Sequence, residues 1–533
     1  MINDGIHQTY GNDSNSVSKT MAQIFMITQN TFFGQKSAGF FSSFAKALAL
    51  LLLLNAFGGG LKTAWSQTVH PHEHTHSSES HQHPNDHDHA HHTGEHYHPH
   101  GPHGHDHSHL PVDYSFRPDA GHYTPPQPDD DGFFWWKGNL HTHTLWSDGD
   151  QFPEVVTEWY YKHGYHFLAI SDHNILMRGQ KWINPETSRH AARGGGKQVL
   201  DLYRQRFGDD WIETRYVDDV LEVRLKPLNE VRALFEKAGR FIMIEAEEIT
   251  EREHNIHTNA TNILELIEPV TGSSVEETIR LNIDAVVEQS ERTGREMIPH
   301  LNHPNFRSAV TTEHMAPVEN MRLFELYNGH RGVYNFGADD GVKDLERVWD
   351  IILTRRLAEL DLDLVYGIAT DDAHNYEAST SDVSRPGRGW VMVRTKFLTP
   401  ESIVRALQSG NFYAGTGVTI ASVETDQNRY SVQIEPEEGV DYTIQFIGTR
   451  KGYDPASRPF VDANGQVRND RSRLYSDDIG VVLKEVKGTR ATYSFEGDEL
   501  YVRARVISSK PKENYFVEGE LEKAWMQPVQ PGQ

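Results

Sequence analysis

The sequence predicts an α/β domain, a barrel or a doubly wound sheet, followed by a small all-β module. Two observations predict it. From Phe133, short apolar runs suited to strands alternate with amphipathic helical stretches over about 280 residues, the pattern of parallel strands joined by crossover helices. After Phe412 the helical period disappears and β runs separated by Gly, Asp, Asn and Pro turns take over, the pattern of a small sandwich. The 533 residues leave room for several folding units.

Residues 1–67 read as a polar lead and an export signal. Lys36 and Lys46 precede the apolar run Ala47–Phe57, and Ala64-Trp65-Ser66 supplies a small-x-small cleavage site. The run is shorter than the roughly 20 residues of a membrane span and suits a secretory signal core. The expectation is a periplasmic or secreted protein without stable membrane insertion. The long lead leaves Met21 and Met26 as alternative starts, and an uncleaved anchor as the other reading. Residues 68–128 are a low-complexity segment holding seventeen of the 32 histidines between His70 and His109. With almost nothing apolar to bury, it is expected to be disordered. Its closely spaced imidazoles suit loose capture of divalent metal, the alternative being a solvated linker.

The globular part is read as 129–417. The strands are YHFLAIS (165–171), RFIMIEA (240–246), REMIPHL (295–301), RLFELYN (322–328) and LVYGIAT (364–370); helices are expected over 153–163, 228–238, 274–292, 341–360 and 400–409. The 274–292 stretch opens at Ser273 or Ser274 and places Val275, Ile279, Ile283 and Val286 on one face. Residues 176–227 interrupt the alternation and read as a helical insertion. The β module takes 418–533, with strands at 442–448, 480–486 and 501–507.

Composition removes several classes of function. Fifty-one Lys+Arg against 76 Asp+Glu give a net charge of −25, which disfavours nucleic acid as a stable partner. The absence of cysteine excludes disulfides, thiolate metal sites and a thiol nucleophile. ARGGGK (192–197) lacks the spacing of a phosphate loop, and no GxSxG serine elbow occurs.

Histidines and carboxylates instead gather at strand ends. His141 and His143 lie two apart in NLHTHTLWSDGD, read as a strand, and Asp148 follows in a Ser-Asp-Gly turn. Asp172 and His173 follow a buried strand; Glu245, Glu247 and Glu248 crowd the end of another, with His254 and His257 next; His300 and His303 lie in PHLNHPN, and Asp372 and His374 in ATDDAH. Parallel strand ends converge on one rim, where active sites form. A mixed His/carboxylate set suits Zn²⁺, Mn²⁺ or Fe ions, and so many donors imply two or three ions sharing a carboxylate and a hydroxide.

In order, these motifs are H-x-H-x4-D-G, D-H-N, a glutamate followed by H-x-N, N-H-P-N and D-x-H. With ALQSGNFYAGTG (406–417), the chain resembles the PHP (polymerase and histidinol phosphatase) family of metal-dependent hydrolases, closest to a subgroup with carbamate-cleaving members. The resemblance implies a distorted (β/α)7 barrel. It also implies His141, His143, Glu248 and Asp372 as ligands of one metal, with Glu248 bridging to a second held by His257 and His303. Asp148, His173 and His374 would hold a third. Where the family carries glycine two residues before the bridging glutamate, this chain has Ala246. Spacing does not choose between His254 and His257 or between His300 and His303; the resemblance selects the second of each pair.

The expected activity is that of an exported, multinuclear phosphoesterase acting on a small molecule through a metal-bridging hydroxide. A carbamate, amide or ester hydrolase on the same site is the alternative. Readings from other classes are a metal-storage protein acting through the His-rich segment, or a β module that binds a glycan or protein. His330, Arg178 and Arg388, in loops expected on the catalytic rim, are candidates to grip phosphate or move a proton; Asp172 is a candidate to orient His173.

Overall fold

The computed structural model describes residues 123–532 except Ser379. The leader and the histidine-rich segment up to residue 122 therefore lie outside the described residues. The chain runs β1 (Phe134–Asn139), α1 (Pro153–Lys162), β2 (Phe167–Ile170), α2 (Leu228–Phe235), β3 (Ile242–Glu251), β4 (Ile256–Thr261), α3 (Val275–Thr293), β5 (Ile298–Leu301), β6 (Leu323–Asn328), α4 (Leu345–Arg355), β7 (Tyr366–Thr370), β8 (Trp390–Thr395), α5 (Pro400–Gln408) and β9 (Phe412–Gly415). The module adds β10 (Tyr442–Arg450), β11 (Val481–Lys487), β12 (Glu499–Pro511) and β13 (Leu521–Val529). Among the described residues no helix is long and apolar enough to cross a membrane.

These strands form one thirteen-stranded sheet in the order β7-β6-β5-β4-β3-β2-β1-β8-β9-β13-β12-β10-β11. β1–β2, β2–β3, β5–β6 and β6–β7 are parallel, whereas β4 runs against both β3 and β5. Six of the first seven strands thus point one way, which leaves their C-terminal ends on one edge. The antiparallel β4 departs from the strict β–α alternation read from sequence. Arg252–Asn255 turn the chain back, with Asn255 at φ +57°, and β4 returns between β3 and β5.

The helices form where pattern and caps agree. Ser274 accepts a hydrogen bond from the Glu277 amide, Gly294 ends α3 in the left-handed conformation, and Ile279, Ile283 and Val286 are buried against the sheet. α1 opens on Pro153, whose missing N–H costs nothing at a first turn. The stretch read as helix to residue 360 is α-helical only to Arg355 and closes in a π-helical turn, Arg356–Leu360.

The insertion is not purely helical. It carries two short helices, Arg189–Arg193 and Lys197–Phe207, and a three-stranded antiparallel sheet of Lys181–Ile183, Thr214–Val217 and Val220–Leu225. Asp218 and Asp219, both at positive φ, form the two-residue hairpin between Val217 and Val220, the turn whose twist matches its strands. Alternating Val and Leu beside Asp-Asp was the overlooked signal.

β8, β9 and the module's strands extend the sheet antiparallel. A second sheet (Ile420–Thr425, Arg429–Ile434, Arg490–Ser494) shares with them one apolar cluster containing Tyr430, Val432, Phe446 and Val506. The module is not a separate bead, since its strands continue the sheet that carries the site.

At the opposite end from the donors, His166 is 7 % exposed and accepts the Lys137 amide at Nδ1 (3.0 Å). Burial, with Arg240 and Lys137 nearby, pushes its imidazole down to about 3. Folded, it stays neutral; unfolded, it takes a proton below about 6.5. The stability it contributes at neutral pH is therefore lost as pH falls from 6.5 towards 3. Between pH 7 and 5, His166→Gln should show an acid loss smaller than wild type by about 2 kcal/mol, measured by denaturant unfolding. Parallel curves would mean that the imidazole is solvated.

Candidate metal centre

Six strands deliver donors to one rim. His141 and His143 follow β1, His173 follows β2, Glu248 lies within β3, His303 follows β5, and Asp372 and His374 follow β7. Because β4 runs antiparallel, its first turn of chain, at His257, reaches the same rim. The H-x-H pair, read from sequence as part of a strand, lies just beyond β1. It is held extended by a parallel bridge between Thr142 and Ala373, with His143 N donating to Ala373 O (3.1 Å) and Asp372 N to His141 O (3.0 Å). That bridge joins the extensions of β1 and β7. A second bridge pairs His173 with Glu248, and Ser171 N donates to Thr142 O. Asn174, His303 and Asp372 have positive φ; such strain persists where surrounding structure over-determines it, typically at functional sites.

All nine sequence-selected donors meet. Glu248 settles among three neighbouring glutamates by the period of two: its side chain enters the rim, while Glu245 and Glu247 face the other way, to Arg178 and to the Ile267 amide. Glu248 Oε1 faces His257 Nδ1 (2.7 Å) and His303 Nε2 (3.4 Å). Its Oε2 faces His173 Nδ1 (2.8 Å) and both His141 Nε2 and His143 Nε2 (3.3 Å each). Asp372 Oδ1 lies 3.4 and 3.2 Å from the same two nitrogens. Asp148 Oδ1 lies 3.3 Å from His374 Nε2, 3.5 Å from His173 Nε2 and 3.6 Å from His143 Nδ1. Gly149 makes this turn possible, since a Cβ there would stand 2.5 Å from His143 O. His254 sits apart beside Thr278, whereas His300, buried in β5 beside Glu325, forms with it and His141 a further group whose donor atoms lie within 4.8 Å of one another.

Burial opposes charge throughout, and the neighbours decide each group. Glu248 is held well below the usual carboxylate range by His173, His141 and His257, and Asp372 by His141, His143 and His330. Asp148 is held far below it by His374 and His173. His374 is raised to about 9 by Asp148, and His141 is raised by Asp372, Glu325 and Glu248. Burial and His374 push His143 down to about 4. The donor set therefore offers ionised carboxylates and imidazoles together.

The residues fit divalent ions. Several sets bring donor atoms within 4.8 Å of one another: His143, Asp148, His173 and His374; His141, Glu248 and His303; His141, His143 and Asp372; His173, Glu248 and His257. Glu248 Oε2 is buried in the middle of three imidazoles, those of His173, His141 and His143, a natural position for a ligand atom.

The other candidates divide. His330 reaches the rim, its ring 5.3 Å from His374 and 5.7 Å from Phe306, and burial pushes it down to about 4. Arg178 is not brought there; it is half exposed and bidentate to Glu245 (2.7 Å twice). Arg388 is fully buried and spans Gly329 O and Ser381 O, bracing the loop that carries His330. Asp172 accepts from Thr144 N, Thr144 Oγ1 and Ser147 Oγ, so it fixes the 143–148 turn and does not touch the His173 ring.

Sequence reading missed Glu325, Asn302 and Asn328. Glu325, fully buried in β6, accepts from His141 Nδ1 (2.7 Å), Thr370 Oγ1, Asn328 Nδ2 and His303 N. Asn302 donates to Glu248 Oε1, and Asn328 to Asp372 Oδ2. A lone charge in the apolar run LFELY was the available signal. Glu325 keeps the proton of His141 on Nδ1 and leaves Nε2 to face the donors, the arrangement by which carboxylates orient metal-binding histidines. Glu325→Gln should weaken metal affinity by about 10–100-fold in a competition titration, with the fold intact by circular dichroism. Unchanged affinity would remove that role.

No protein-family model and no curated protein matches the chain. Among solved structures, a two-domain protein from Bacteroides vulgatus containing a predicted PHP-like metal-dependent phosphoesterase aligns over 77% of this chain and 100% of its own, at 14% identity and a TM-score of 0.33. A candidate metal-dependent phosphoesterase from Bifidobacterium adolescentis aligns over 48% of this chain and 91% of its own, at 14% identity and a TM-score of 0.22.

Proposed function

We propose that the chain is a PHP-type hydrolase, a (β/α)7 barrel that cleaves phosphoesters with up to three divalent ions. The observation that carries this reading is Glu248, whose two carboxylate oxygens face two different histidine sets from one buried position. His141, His143 and Asp372 would hold one ion with Glu248, and His257 and His303 would share Glu248 for a second. Asp148, His173 and His374 would hold a third, with His143 Nδ1 facing the same aspartate. Such ions supply Lewis acidity towards phosphoryl oxygens and bring the pKa of water near 7. The resemblance of the motifs supports the barrel, as does the bridge between the extensions of β1 and β7.

The chain's own residues do the rest. Glu325 sets the His141 tautomer, and Asp172 fixes the turn carrying Asp148. His330, kept neutral at ordinary pH by burial, offers a hydrogen bond to the departing oxygen. The exported, metal-scavenging context, with residues 68–128 gathering ions outside the cytoplasm, belongs to the same proposal and rests on the sequence.

Phosphoester is favoured over carbamate by Arg307. Its guanidinium lies 5.0 Å from the centre of the Phe306 ring, which in turn lies 5.0 Å from His303. The arginine is exposed, makes no salt bridge among the described residues, and has φ +53°. A cation held at the mouth against a net charge of −25 selects an anionic substrate. The test is turnover of p-nitrophenyl phosphate, its bis ester and an aryl carbamate with Mn²⁺ or Zn²⁺. Arg307→Ala should raise KM for the monoester about 10-fold, the worth of one charge-assisted contact. Turnover of the carbamate alone would overturn the phosphoesterase reading.

A further inference from the structure

A cleft of about 320 Å³ opens beside His330, large enough for a small organic group. One wall is the loop after β6, with Arg331, Tyr334 and Phe336. The other is the turn between β12 and β13, with Phe516 and Val517, and Arg388 closes the floor. Tyr334, Phe336 and Val517 are 48 %, 43 % and 50 % exposed, a concentration of apolar surface that marks a binding site rather than scattered exposure. Phe336 and Phe516 meet edge to face, ring centres 6.3 Å apart across the two walls.

Hydrogen bonds tie the walls of the cleft to the loops that carry the donors. Arg388 on its floor holds Gly329 O, one residue before His330. Arg331 N donates to Ser384 Oγ, and Ser384 O accepts from His374 N. The module's wall is anchored rather than loose. Buried Lys512 donates to Tyr327 OH (2.6 Å) and Arg388 O (2.5 Å), Asn514 Nδ2 donates to Pro386 O (2.7 Å), and Phe516 N donates to Glu520 Oε2 (2.7 Å).

We propose that this cleft seats the alcohol side of the ester, so that the enzyme prefers a planar, apolar leaving group and the β module supplies half of the recognition. The proposal rests on the hydrolase reading above. The phosphoryl end would stay at the donors, the aromatic leaving group would lie against the joined faces of Phe336 and Phe516, and Arg331, which makes no salt bridge among the described residues, would stand at the rim for a polar substituent.

The test compares phenyl phosphate with ethyl phosphate on the metal-loaded full chain. Wild type should favour the aryl ester in kcat/KM by at least about 10-fold beyond the difference in intrinsic reactivity, which is measured by metal-ion hydrolysis without enzyme. Val517→Asp, at an exposed position that folding does not need, and Phe336→Ala should each reduce that preference by about 10-fold, mainly through KM. Val467→Asp, an equally exposed valine elsewhere on the module, should leave both rates as they were. Binding of phenylphosphonate and methylphosphonate by calorimetry gives the same comparison without turnover. A preference unchanged in both folded variants would overturn the cleft assignment. If wild type cleaves only carbamates, the phosphoester reading fails instead, and phenyl against ethyl carbamate on the same variants decides the cleft.

Discussion

Glu248→Gln is expected to lower turnover by about 10³-fold or more. The carboxylate touches both histidine sets, and glutamine preserves its shape while removing its charge and replacing one acceptor with an N–H donor aimed at imidazole nitrogens. Loss of several kcal/mol of charge stabilisation at the reacting centre corresponds to that factor in rate. Metal content measured by elemental analysis should fall in step, while far-ultraviolet circular dichroism stays as in wild type. Glu248→Asp, which keeps the charge but not the reach, should recover part of the metal and less of the rate. A Gln variant with full activity would mean that the centre is elsewhere.

Stripping metal with a chelator is expected to abolish turnover and to lower the melting temperature by several degrees, both restored by Mn²⁺ or Zn²⁺. An ion present at 100 times its Kd stabilises the fold by about 2.7 kcal/mol. Protons compete for the same atoms: His374 is raised to about 9 by Asp148, and His141 stands above its ordinary range. Below those values an ion must displace a proton to bind, so affinity should rise with pH, about tenfold per unit for each proton displaced. Titrations at pH 6 and pH 8 should therefore differ by at least about 100-fold. Identical melting with and without chelator would show that the histidines and carboxylates stabilise the rim on their own.

The strands and helices that support the rim were legible because each apolar run kept one period from end to end. β2, β5, β6 and β7 lie where the sequence placed them, while β3 runs five residues past its expected end, to Glu251. The donors were legible for a related reason: histidine and aspartate immediately after an apolar strand have nothing to bury against except one another. What escaped reading depends on tertiary pairing. β4 looks polar as a segment, with His257, Thr258 and Asn259 in a row, and becomes a strand only because β3 and β5 flank it. Glu325 gives no local sign of its partner 184 residues away. Arg178 and Arg388 were placed near the rim by chain position, but their guanidiniums are occupied by Glu245 and by two carbonyls. Arg307, next to the N-H-P-N motif, was not read as a contact because its conformation, not its neighbourhood in sequence, brings it over Phe306.

The unbroken sheet sets a timetable for the nascent chain. β9 ends at Gly415, and β13, which pairs with its outer side, begins only at Leu521. At synthesis speeds of roughly 5–20 residues per second, β9 presents a bare row of amides and carbonyls for roughly 5–20 s before its partner emerges. An uncovered strand in that interval is a template for any other extended chain. A chain stopped near residue 417 keeps that template permanently, whatever the quality of its metal centre, and its fate is self-association rather than catalysis.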